Sequence, residues 1–161
     1  MEKFEWKEDK VYEGIEPLIY LTANKFYMTA KELDNYFTEP IIVNLAFSVE
    51  LYLKCLNTKT TLSKKANTNL ATLTRKTIHG HPFDKIFEKL KPIDKVNLSA
   101  KYLRKYDRDF KNDLCKLKNA FVDWRYSFEK DLVICEGLLH QIADFLKDYI
   151  ENEMKQGKYS R

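Results

Sequence analysis

The chain has 161 residues, 44% of them apolar and 32% charged, which suits one domain with a filled core and excludes the charge-rich, aromatic-poor composition of a disordered chain. Its formal net charge of +4 comes mostly from lysine, which favours solubility and weak attraction to anions without identifying a nucleic-acid binder. Only four glycines and four prolines punctuate it, too few for the frequent turns of an all-β protein.

The N-terminus MEKFEWKEDK is charged throughout and has no signal-peptide core, and no apolar run reaches the length of a membrane span, so a cytoplasmic protein with no membrane contact is expected. Residues 11 to 37 carry Val11, Ile15, Leu18, Thr22, Phe26, Ala30, Leu33 and Phe37 at three- and four-residue intervals, predicting a long first helix with Pro17 near its start. After a break at Thr38, Glu39 and Pro40, the segment IIVNLAFSVELYLKCL predicts a second helix apolar enough to sit at the centre. Residues 57–80 are rich in Thr, Lys and Asn and read as a long, mobile, basic loop. Phe83, Ile86, Phe87 and Leu90 give a short helix closed by Pro92, and Val96, Leu103 and Tyr106 mark a further helical stretch.

Phe110, Leu114, Leu117, Phe121, Trp124 and Phe128 then alternate at four and three residues, the pattern of one face of a single long helix. A final helix is expected from Asp131, with Leu132, Cys135, Leu139, Ile142, Leu146 and Ile150 buried, before a polar tail at 155–161. Together these predict one all-α domain over 1–161, an up-and-down helical bundle of four long helices with one or two short helices inserted. Cys55, Cys115 and Cys135 lie apart without a CxxC pair and read as reduced core residues, so no metal and no cofactor are expected.

Polar groups placed where the pattern predicts burial or a helix junction need partners, and three places have them. Glu50 and Lys54 lie one turn apart, an intrahelical pair contributing ~0.3 to 0.5 kcal/mol if exposed, or an inward pair that reaches Arg125 or Glu129. Gly80-His81-Pro82 forms a turn whose His81 either caps the short helix or transfers protons. Trp124-Arg125-Tyr126 with Glu129 is the third place, with Trp124 and Phe128 on the core stripe rather than on a base-stacking platform. Lys59, Lys64, Lys65, Arg75 and Lys76 either form an RNA-guiding surface on the basic loop or are simply solvated.

The segments NLAFSVELYLKCL, GHPFDKIFEKL and FVDWRYSFE, in that order, resemble the HEPN domains of prokaryotes over most of the chain. The resemblance implies a helical bundle that works as a homodimer in RNA cleavage, in toxin–antitoxin pairs or in defence against phage. It further implies a metal-independent ribonuclease in which an Arg is followed after four to six residues by a His. Arg125 matches that arginine, whereas RYSFEKD has Lys130 where the shortest spacing asks for histidine. Arg75 and His81 meet the spacing literally, but between the loop and the turn rather than on that helix.

Cleaving RNA through its own 2′-hydroxyl needs a base, an acid and a cation beside the phosphate. Arg125, His81 and Tyr126 are therefore the catalytic candidates, with Glu50, Lys54 and Glu129 as a supporting network and Lys64, Lys65, Arg75 and Lys76 as RNA-binding candidates. Two other readings stand beside the enzyme. One is a non-catalytic homodimer that binds a nucleotide, RNA or an antitoxin-like partner; the other is a bundle whose polar residues merely neutralise one another.

Overall fold

The computed structural model describes residues 9–64, 70–126 and 134–157. Its elements in chain order are β1 (Lys10–Gly14), α1 (Pro17–Glu32), α2 (Thr38–Cys55), β2 (Thr58–Lys64), β3 (Ala71–Lys76), α3 (Phe83–Glu88), α4 (Pro92–Tyr106), α5 (Phe110–Lys116), α6 (Ala120–Trp124) and α7 (Glu136–Lys155). The chain is mostly helical, but it is not the all-α bundle of four long helices expected from the sequence. A three-stranded antiparallel sheet in the order β1-β2-β3 is part of the fold.

That sheet corrects the mobile loop expected at 57–80. Thr58, Thr60, Thr61, Thr72 and Thr74 are β-branched residues that fit a pleated ladder, and β2 pairs with β1 on one side and β3 on the other. Thr61 stands opposite both Val11 and Thr74. The same pairing takes Val11 out of the first helix. Glu16 precedes Pro17 and is held extended, so α1 cannot propagate upstream of it.

Glu16 ties the sheet to the helices. Its carboxylate accepts from the Leu18 backbone N–H at 3.3 Å and from the Thr60 hydroxyl at 2.7 Å, while its own N–H donates to the Cys55 carbonyl at 2.9 Å. At 5% exposure it needs a cation, and Arg75 Nε lies 3.2 Å away.

The helix expected through 110–128 is also broken. α5 ends at Lys116, and residues 117–119 form turns before α6 begins. The Lys118 carbonyl, released from helical bonding, accepts from the Phe83 N–H at 3.1 Å and so docks the start of α3. Phe110, Leu114, Leu117 and Phe121 still reach the core, and Trp124 packs against its edge.

α2 is the central helix, with Ile42, Leu45, Val49, Tyr52 and Leu53 almost wholly buried against α1, α3, α6 and α7. α7 begins at Glu136 rather than near Asp131, and it buries Leu139, Ile142, Leu146 and Ile150. Cys135 caps it and is exposed, and Cys115 is half-buried, so only Cys55 among the three cysteines is a core residue. Asp131, Leu132, Phe128 and the end of the polar tail at 158–161 lie outside the described residues. No helix among the described residues is long and apolar enough to cross a membrane.

Candidate functional site

Glu50 occupies the middle of the most buried helix and is 1% exposed, so its charge must be answered on the spot. Lys54, one turn later and only 14% exposed at its side chain, places Nζ 2.7 Å from Glu50 Oε1. The second partner comes from the turn before α3. His81 Nδ1 lies 3.0 Å from Glu50 Oε2 and 3.1 Å from Oε1. An ionised carboxylate only accepts, so Nδ1 carries the proton and donates it to Glu50, leaving the lone pair of a neutral ring on Nε2.

The His81 side chain is 51% exposed, which leaves that ring open to solvent while its other edge is anchored. Gly80 positions it. The backbone there has φ of +109°, a left-handed conformation that glycine adopts without steric cost, and Pro82 then fixes the entry to α3.

Arg125, at the end of α6, is exposed, and its guanidinium lies over the Phe121 ring with Cζ 4.7 Å from the centroid. The same Phe121 ring is 5.8 Å from the His81 ring and stacks on Phe47 of α2 at 4.7 Å. Phe121 thus joins the two halves of the cluster. Tyr126 is 47% exposed, with its ring 5.5 Å from Arg125 Cζ. The inward pairing of Glu50 or Lys54 with Arg125 is not the arrangement found. Glu50 is held by Lys54 and His81, and Arg125 rests on an aromatic face instead.

The fold therefore brings Glu50, Lys54, His81, Arg125 and Tyr126 into one neighbourhood, while Glu129, Lys130 and Lys65 lie outside the described residues. The expected basic loop is divided among different roles. Arg75 turns to the buried Glu16 and is not a free surface cation, whereas Lys64 and Lys76 are exposed on β2 and β3. Lys59 stands opposite Lys76 on one side of β2 and opposite Glu13 on the other, with its Nζ 3.9 Å from the Glu13 carboxylate. Phe121 is the site residue missed from the sequence alone. Its position one turn before Arg125 was the available signal, since side chains four apart share a helix face.

Among the described residues no group of three or more His, Cys, Asp or Glu is arranged to hold a metal. No family model, no curated protein and no solved structure matches this chain. The reading of the cluster rests on its geometry.

Proposed function

We propose that this cluster is a metal-independent RNA-cleaving centre. The observation that carries the reading is the His81–Glu50 pair, a half-exposed imidazole oriented through Nδ1 by a buried carboxylate, with the exposed Arg125 across Phe121. A carboxylate that fixes the ring and tautomer of a histidine prepares the other ring nitrogen to take a proton. In this scheme His81 Nε2 removes the proton of an RNA 2′-hydroxyl, whose oxygen attacks the adjacent phosphorus. The P–O5′ bond breaks, water protonates the departing 5′-oxygen, and a 2′,3′-cyclic phosphate remains. Arg125 neutralises the charge growing on the phosphoryl oxygens, and the Tyr126 hydroxyl donates to them.

His81 takes the place of the histidine that the HEPN resemblance expects after Arg125, reaching the site from the turn before α3 rather than from the arginine's own helix. The resemblance adds the setting: a cytoplasmic homodimer in a toxin–antitoxin or anti-phage role. A second reading, a non-catalytic module binding RNA or a nucleotide, is favoured by Arg125 lying exposed on an aromatic face, which suits phosphate and base recognition without proton transfer.

RNA cleavage by the purified chain in EDTA separates the two. Activity is expected to fall about 10²- to 10⁴-fold in His81→Ala and about 10²- to 10³-fold in Arg125→Ala, with folding and oligomeric state unchanged. Retained RNA binding without cleavage by the unaltered chain would establish the binding module instead.

A further inference from the structure

A cavity of about 230 Å³ lies between the end of β1, the start of α4 and the second half of α7. At roughly 30 Å³ for each water-sized group it has room for about eight non-hydrogen atoms, too few for a nucleotide. Ile15 and Leu56 give it apolar walls and are 5% and 3% exposed. Tyr149 lines it from α7 and is 3% exposed, yet its hydroxyl has no hydrogen-bond partner in the protein. Asn97 of α4 bears on that hydroxyl without reaching hydrogen-bond geometry. A buried polar atom left without a partner is costly, and a bound ligand is one way to supply the partner.

The charges around the hydroxyl select the ligand. Glu153, 5% exposed, and Asp94 line the cavity together with Tyr149. Burial first, and then these two carboxylates, push the hydroxyl above its ordinary pKa, so the phenol stays neutral. The field that holds its proton also favours a further positive group beside it. Lys101, which does not line the cavity, shows what kind of group suits this corner. Its Nζ lies 4.7 Å from the centroid of the Tyr149 ring and 3.0 Å from Glu153 Oε1, an ammonium set against an aromatic face and a carboxylate.

We propose that the cavity binds a small primary amine, whose ammonium donates to the Tyr149 hydroxyl oxygen and faces Asp94 and Glu153, with its alkyl body against Ile15 and Leu56. An acid would meet three carboxylates, Glu13, Asp94 and Glu153, against the one lining ammonium of Lys91, which is itself 3.4 Å from Glu13. An alcohol would partner the hydroxyl but leave the field unanswered. The site uses none of the residues of the His81 cluster, so a chain inactive on RNA would bind the amine in the same way.

An NMR chemical-shift titration of the full chain in an amine-free buffer, with 1-aminopentane, 1-pentanol and pentanoate, tests the site. The amine is expected to bind with a dissociation constant on the order of 0.1 to 1 mM, and the alcohol and the acid about 10-fold more weakly or not at all. Tyr149→Phe should weaken the amine about 5- to 10-fold without lowering the thermal midpoint, because it removes only a hydroxyl that the fold does not bond. Asp94→Asn should weaken it about 5-fold. Nα-acetyl-lysine methylamide separates two sources of the same chemistry. Binding as tight as that of 1-aminopentane assigns the site to a lysine side chain of another protein, and binding about 10-fold weaker assigns it to a free amine. The proposal is overturned by an amine that leaves the shifts around Tyr149 unmoved at about 20 mM, well above the expected dissociation constant. It is also overturned by an alcohol that binds as well as the amine, or by a Tyr149→Phe chain that loses stability while keeping its affinity.

Discussion

Asp113 is 2% exposed on α5 and is held by Arg108 through two hydrogen bonds of 2.6 and 2.7 Å, by Lys116 at 3.0 Å and by the Tyr102 hydroxyl at 2.9 Å. Arg108, above all, holds its carboxyl down at about 2. A depressed folded pKa stabilises the fold fully above the unfolded value near 4 and loses that contribution as pH falls towards 2. Urea midpoints are expected to drop between pH 4 and pH 2, and Asp113→Asn is expected to remove that component. At neutral pH, Asp113→Ala should cost about 2 to 3 kcal/mol, because the buried Tyr102 hydroxyl and the Arg108 fork both lose their acceptor.

Other residues divide in the same way between packing and chemistry. Burial pushes the Cys55 thiol up, so a disulfide reagent should modify the exposed Cys135 in the folded chain and reach Cys55 only on unfolding. Labelling of both at one rate would contradict the packing of α2. Glu50→Gln keeps the size of the buried side chain but removes the charge that orients His81. Cleavage should fall at least 10-fold with the helical signal retained. The apolar run around Glu50 and Lys54 left open whether the pair is exposed or turned inward, and the further partner of Glu50 was not legible, because His81 is 31 residues further along the chain.

At the scale of elements, the apolar periodicity of α2 and α7 located both helices, since a helix that buries one stripe or nearly all of its surface writes that fact into its own residues. The sheet was hidden because its strands are polar and their stabilising partners are distant: β1 at 10–14 has no local reason to be extended until β2 pairs with it. β2 is the strand on which the sheet depends. Thr61→Pro removes a ladder donor from a strand paired on both sides and should cost about 3 kcal/mol or more. Hydrogen exchange is expected to accelerate around Val11 and Thr74 while α7 remains protected, and equal acceleration everywhere would show that the sheet and helices unfold as one unit. The break between α5 and α6 was illegible for a similar reason, since the carbonyl of Lys118 is captured by α3, an element far upstream.

Across the whole molecule the basic residues no longer form one class. Replacing Lys64 and Lys76 together should weaken RNA binding and flatten its dependence on log salt by about 1.4, the release of two counterions from a single strand. Arg75→Ala should instead lower stability by unpairing the buried Glu16, with the salt slope unchanged. A common effect of all three substitutions on binding alone would mean that Arg75 leaves Glu16 for the nucleic acid.

The amino-acid sequence by itself determined where the strongly apolar helices lie and which polar residues would be costly to bury, because periodicity and burial cost are properties of a short stretch of chain. Only the tertiary structure decided that Thr-rich segments become a sheet, that Arg75 serves Glu16, and that His81 meets Glu50 beside Phe121 and Arg125. Each of those outcomes depends on a partner remote in sequence, and the free energy that selects it exists only once both partners are brought together.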